Sequence, residues 1–126
     1  VIQIVMGWTN SHLYQFNIDG KIYSLPEEEE FFEIIDCRKI RLKEVLFKEK
    51  KSIEYEYDFG DEWTHKIVLE KILNDYALKT PVCLEGKRNC PPENSGGPYG
   101  YMDLTEIISD PDRNKEEYKE ILEWLG

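Results

Sequence analysis

The stretch Asp58-Phe59-Gly60-Asp61-Glu62-Trp63-Thr64-His65 sets two turn carboxylates, Asp58 and Asp61, beside an indole and an imidazole. In a strand leaving that turn, Asp61, Trp63 and His65 share parity, so a carboxylate and an imidazole flank Trp63 on one face. Such a pair supports proton transfer or clamps a ligand. The same residues also have a plain structural use. Asp58 and Asp61 can bond turn amides, Trp63 can fill a core, and His65 is expected to be a packed, satisfied imidazole. His12 opens a second apolar strand face, which would allow the two histidines to meet. The segment from Pro91 to Tyr101 holds Gly-Gly and aromatics of the kind that line pockets, with Glu93 and Tyr99 as its useful groups. The candidate ligand-binding residues are therefore His12, Asp58, Asp61, Trp63, His65, Glu93 and Tyr99.

Other chemistry finds less footing. Cys37, Cys83 and Cys90 offer no Cys-x2-Cys pair and the two histidines no His-x3-His pair, so no metal site is expected. No Gly-Lys-Ser/Thr follows the glycines, and no strand leads straight into them, so neither a phosphate loop nor a dinucleotide fingerprint is present and no cofactor is expected. The serines lack the activating base or arginine company of a nucleophile.

Several elements must position these groups. Val1, Ile2, Val5 and Met6 have the spacing of the last turns of an amphipathic helix, with residues expected upstream. His12, Tyr14, Phe16 and Ile18 alternate as a strand, and Asp19-Gly20 turns the chain toward a partner at Lys21 to Leu25. Glu27 to Glu30 is a solvated charge run, and the apolar patch Phe31, Phe32, Ile34 and Ile35 is open to helix or strand. Leu42, Val45 and Leu46 predict a short basic amphipathic helix within Arg38 to Lys51. Ile53 to Phe59 and Trp63 to Leu69 predict a second hairpin, with Val68 marking cover on the opposite face. Pro81, Pro91, Pro92, Pro98 and three glycines between Asn74 and Tyr99 predict a long loop. Tyr101, Leu104, Ile107 and Ile108 then predict a helix ended by Asp110-Pro111. Asn114 and Glu117 predict a reciprocal cap for a last helix striped by Tyr118, Ile121, Leu122 and Leu125.

The chain has 126 residues, of which 40% are hydrophobic and 33% charged, a size and composition that fit one domain over 1–126. Its 16 Lys and Arg against 26 Asp and Glu give a formal charge of −10, which opposes a uniform grip on DNA or anionic lipid. No apolar run approaches the ~20 residues of a membrane span and no signal peptide opens the chain. With three cysteines suited to a reducing compartment, the expectation is a soluble cytoplasmic protein with no membrane partner.

Three pieces are distinctive together: Met6-Gly7-Trp8 with Ser11-His12-Leu13, then Tyr57 to His65, then Pro91 to Tyr101. In these the chain resembles the plasmid pRiA-type open-reading-frame-three-like family, along nearly its whole length. The resemblance implies an α+β domain whose upstream residues would supply two strands and the start of the first helix. It also implies an association with transposable elements, without an established activity. Members commonly carry Asp-Cys where this chain has Asn94-Ser95.

The expected architecture is α+β: a mostly antiparallel sheet of hairpins, helices packed on one side, and a long Pro/Gly loop. The expected function is a non-catalytic binding or interaction module for an unidentified protein or small-molecule ligand, accessory to mobile-element or regulatory proteins. The alternatives are a small hydrolase or isomerase using His65 with Asp61 or Glu93, and a nucleic-acid accessory domain using Arg38, Arg41, Lys43 and Lys48.

The segment from Arg38 to Lys51 carries +5 (seven basic residues minus two acidic), leaving −15 elsewhere, so any DNA binding should be weak and salt-sensitive. If Arg41, Lys43 and Lys48 each neutralise a phosphate, reversing all three should flatten the salt dependence by about three units of slope. Titrations of duplex DNA at several salt concentrations measure that slope, and tight binding that survives the reversal contradicts this charge reading.

Overall fold

The computed structural model describes residues 1–26, 33–75, 77, 79–110, 112 and 115–126. A short helix, Ile2–Met6 (α1), ends at Gly7, whose φ of 72° lets the chain reverse and send Trp8 back over the sheet. Five strands follow: Tyr14–Ile18 (β1), Lys21–Ser24 (β2), Ile34–Asp36 (β3), Ser52–Tyr57 (β4) and Trp63–Val68 (β5). They form one sheet in the order β3-β2-β1-β4-β5. The β2–β3 pairing is parallel and the others are antiparallel, so the sheet is mixed but mostly antiparallel, as an α+β fold requires. Asp19 and Gly20 both hold positive φ, 53° and 78°, and make the tight β1–β2 turn that their types predict.

Register turns the alternation into a core. Tyr14, Tyr57 and Trp63 lie in one row across β1, β4 and β5, Phe16, Tyr55 and His65 in the next, and Ile53 faces Ile67 beyond them. Trp8, Tyr55 and Tyr57 form one buried cluster, and Ile18, Leu46 and Ile53 form another. Phe16 and Ile67 pack against both and join them. The opposite face carries Gln15, Asn17, Glu54, Glu56, Thr64 and Lys66, a polar surface suited to water. Val68 belongs to that face and is 45% exposed, so the described residues do not supply the cover expected there.

Three helices complete the described chain: Leu42–Val45 (α2), Gly97–Ser109 (α3) and Lys115–Leu125 (α4). Among the described residues no helix is long and apolar enough to cross a membrane. The basic segment departs from expectation. A single 3-10 turn at Cys37–Lys39 precedes the four residues of α2, and Lys50 takes a φ of 68°, so Arg38 to Lys51 is not one helix. The long loop also ends earlier than its composition predicts. Gly97 and Pro98 start α3, where proline's fixed φ suits the first turn, so Tyr99 is helical. Val1 before α1, Val5 within it, and Leu122 and Leu125 of α4 are exposed, which narrows both apolar stripes. The patch at Ile34 and Ile35 resolves as β3. The charge run Glu27 to Glu30, Phe31, Phe32, Pro111 and the Asn114 cap lie outside the described residues.

Gly97 couples two of these pieces. Its φ is +68° and a Cβ there would run into the backbone carbonyl of Asp61. Gly97→Ala should therefore cost about 2–4 kcal/mol, from left-handed strain plus displacement of the β4–β5 turn. Gly86→Ala meets nothing within 4 Å and should stay within about 0.5 kcal/mol of the parent. Urea midpoints of the two variants, measured side by side, check this, and equal midpoints would contradict it.

Candidate functional site

Trp8 starts the site. Thrown back by the Gly7 turn, its buried indole stacks on Tyr57 at 4.7 Å between centroids and lies 6.1 Å from Trp63. An indole N–H seeks an acceptor when buried, and Nε1 donates to the Pro91 carbonyl at 2.9 Å. That bond draws the segment from Cys90 to Gly96 against the end of the sheet, and Cys90 packs on the same cluster.

Glu93 arrives with that segment. Its Oε1 accepts from the Thr9 backbone N–H at 2.7 Å, the Thr9 hydroxyl at 3.1 Å and the Tyr57 hydroxyl at 3.0 Å. Its Oε2 accepts from the Tyr57 hydroxyl at 3.1 Å and the Ser11 hydroxyl at 3.4 Å. Burial opposes ionisation of Glu93, but the bonds from Thr9 and Tyr57, with His12 adjacent, outweigh it and hold the carboxyl below the usual range. Tyr57 responds in the other direction. Burial pushes its phenol up and Glu93 adds to the effect, against the backbone N–H groups of Ser11 and His12 that donate to its oxygen.

His12 sits just before β1, its Nε2 3.5 Å from Asp58 Oδ2 and 3.5 Å from Glu93 Oε2. Its ring meets Tyr57 edge-on. Asp58, at a φ of 60°, uses its other oxygen to cap the turn, accepting from Gly60 N–H at 3.1 Å and Asp61 N–H at 3.4 Å. Asp61 reaches across to α3 and accepts from Gly96 N–H at 3.1 Å. The imidazole set between carboxylates is thus His12. His65 lies one row further into the sheet, its ring 5.4 Å from Trp8 and 5.6 Å from Tyr55, with Nδ1 3.3 Å from the Tyr55 carbonyl. Trp63 is half-buried and meets Tyr101 edge-on at 6.4 Å. Tyr99 points into solvent, 83% exposed.

The two histidines therefore flank the Trp8–Tyr57 stack rather than meet, and Cys83 is exposed with its thiol on the Glu85 carbonyl. Among the described residues no group of three or more His, Cys, Asp or Glu is arranged to hold a metal ion. Arg38, Arg41, Lys43 and Lys48 are exposed, but Arg38 is already committed. It grips Asp36 with two bonds of 2.9 Å and pulls that carboxyl down to about 2. Lys51 likewise pairs with Asp19 at 2.6 Å. Sequence reasoning missed Trp8, Thr9 and Ser11. Trp8 reads as a break after Gly7, although its place in Met6-Gly7-Trp8 beside Ser11-His12 was a usable signal.

Residues 1–126 match the family model described as plasmid pRiA4b ORF-3-like protein. The uncharacterized protein y4hQ of Sinorhizobium fredii (strain NBRC 101917 / NGR234) is 42% identical over 127 residues, which cover 100% of this chain and 64% of y4hQ. The chain thus spans less than two-thirds of that curated relative. The crystal structure of MM3350, a protein of unknown function from Methanosarcina mazei Go1, matches with a TM-score of 0.82 and 35% identity, covering 99% of this chain and 70% of that one.

The lowered Glu93 carboxyl makes a signed prediction. Because its folded value lies below its unfolded one, its stabilisation is fully present above the ordinary carboxylate range and is lost as pH falls through the folded value. Glu93→Gln should lower stability at neutral pH by about 1–3 kcal/mol and flatten the acid side of the stability curve. Urea titrations from neutral to acid pH check this, and an unchanged acid slope would show that Glu93 is not the titrating clasp.

Proposed function

Because this chain belongs to the plasmid pRiA4b ORF-3-like family, whose named relatives bring no established activity, we propose from its own geometry that it is a non-catalytic binding module. The recognition surface is the end of the sheet where the Trp8–His12 turn, the β4–β5 turn and the segment before α3 converge. One observation carries the reading. Asp58, Asp61 and Glu93 all spend oxygens on backbone or hydroxyl donors within the protein, so these carboxylates hold three segments in place. A carboxylate saturated with donors and held below its usual range is a poor base but a fixed negative charge. Two exposed aromatics belong to the segments these carboxylates hold: Phe59, 43% exposed, follows Asp58 in the β4–β5 turn, and Tyr99, 83% exposed, lies in the first turn of α3, whose N-cap Gly96 bonds Asp61. Fixed anions beside exposed aromatic rings suit a basic segment of a partner protein, through charge complementarity and cation–π contact. An accessory role beside mobile-element or regulatory proteins belongs to the same reading.

A second reading has its own observation in the position of His12 between Asp58 and Glu93. There the imidazole would serve as acid and base for a small hydrolase, a role considered above for His65.

One experiment separates the two. A labelled decapeptide alternating Arg and Ala should bind saturably, lose most of its affinity in 0.5 M salt at a Debye length of ~4 Å, and weaken about tenfold in the Phe59→Ala, Tyr99→Ala double variant. Its Glu-for-Arg counterpart should not bind. Equal affinity of parent and double variant would overturn the binding surface. Turnover of p-nitrophenyl acetate that His12→Gln abolishes would favour catalysis instead.

A further inference from the structure

A second feature of the same sheet face uses none of the residues of that recognition surface. Between the sheet and the segment from Cys37 to Val45 lies a partly open cavity of about 280 Å³. Its floor is Tyr14, Phe16, Ile18, Tyr23 and Ile53, and its far wall is Ile40, Leu42 and Val45. Apolar walls of this kind bury the body of a small ligand, and a few polar groups orient it. The polar groups here are distinctive. Arg38 and Arg41 both border the cavity, and the Tyr14 hydroxyl lies 3.8 Å from the Cys37 thiol in its wall. Arg38 is neutralised by Asp36. Among the described residues Arg41 has no carboxylate on its guanidinium; the Glu44 carboxylate accepts from its backbone N–H instead. A guanidinium that no carboxylate among the described residues engages, bordering an apolar cavity, is complementary to an anion on an apolar body.

Charge segregation adds to this. The protein carries −10 overall, yet the segment bordering the cavity is its one basic run, +5 over residues 38 to 51. That run is broken into a 3-10 turn and a four-residue helix, which gives it no continuous stripe for a duplex but sets Arg41 beside the opening. The volume sets the size of the occupant. At ~30 Å³ per small heavy-atom group, as for a water molecule in the liquid, it admits on the order of nine or ten non-hydrogen atoms.

We propose that the cavity bordered by Arg41 binds a small amphipathic carboxylate, with a short apolar tail against Phe16, Ile18, Ile53 and Val45 and the carboxylate on the Arg41 guanidinium.

Octanoate is the probe, with octan-1-ol as its neutral counterpart and octylamine as its cationic one. In a methyl-region NMR titration of the full chain, octanoate should shift Ile18, Ile40, Val45 and Ile53 saturably, with a Kd of about 0.1–1 mM for a ligand of this size. Octan-1-ol should bind about tenfold more weakly, and octylamine should not bind. Arg41→Gln should weaken octanoate about tenfold and leave octan-1-ol unchanged. Val45→Phe should fill the cavity and block both, with shifts outside the cavity confirming that it is folded. If Val45→Phe does not fold, Arg41→Gln still decides, since Arg41 is exposed. Four outcomes would overturn the proposal: no saturable shift, shifts centred on the exposed Val1, Ile4 and Val5 side chains, equal affinity for octanoate and octylamine, or an octanoate affinity that Arg41→Gln leaves unchanged. The peptide-binding surface can fail without touching this result, because Phe59 and Tyr99 do not line the cavity.

Discussion

An ionised carboxylate at Glu93, enclosed by donors from two remote segments, holds together the end of the sheet where the Trp8–His12 turn meets the segment before α3. Thr9 lies 84 residues away in sequence and Tyr57 lies 36 away, yet both bond the same carboxylate. Among the described residues between β5 and α3 there is no regular element, and the ends of a long irregular segment resist being brought together. Charge-assisted hydrogen bonds are among the few local interactions strong enough to fix it, and the Trp8 bond to Pro91 fixes the chain two residues before Glu93. Once Pro91 and Glu93 are placed, Gly96 can meet Asp61 and α3 can begin against the β4–β5 turn. The position of His12 between two carboxylates follows from the same closure.

What could be read from the sequence divides along the range of the interaction concerned. Alternation over Tyr14–Ile18, Ser52–Tyr57 and Trp63–Val68 places inward residues without knowledge of the partner strand, because the pleat alone sets it. Asp19-Gly20 is equally local. β3 was not readable as a strand, since three residues of a parallel edge carry too little pattern. The basic segment misled for a different reason. Its Leu42, Val45 and Leu46 spacing is real, but Leu46 is buried against the sheet, and Lys50 takes a left-handed turn before β4 can start. At the site, sequence supplied the residue types His12, Asp58 and Glu93 but no way to pair them. Asp58 with Asp61 was accessible as turn chemistry. Glu93 with Thr9 and Tyr57 was not, because no periodicity connects positions so far apart.

The sheet's inner face carries two kinds of surface in series. Around Tyr57, polar groups are consumed by one another and give fixed charge and shape. Further along, Tyr14 and Phe16 turn the same face into the wall of an apolar cavity. Tyr55 packs between these regions, its ring 6.0 Å from Tyr14 and 4.8 Å from Phe16. Rigidity at one end and free volume at the other are therefore built from one continuous set of aromatic side chains, and a core packed this closely resists being deformed at either end alone.

The strand order also leaves two sheet borders, β3 on one side and β5 on the other. A border strand offers unpaired backbone groups to any passing chain, and a sheet with such apolar inward residues would be a hazard if those borders were long and flat. Neither is. β3 has three residues, too few to template a stable addition. β5 has six, but Lys66 lies within it and Glu62 and Glu70 stand just beyond its ends. An incoming strand would have to bring those charges close to its own backbone while meeting a molecule of net charge −10. Short or charged borders of this kind disfavour edge-to-edge pairing between copies of one chain.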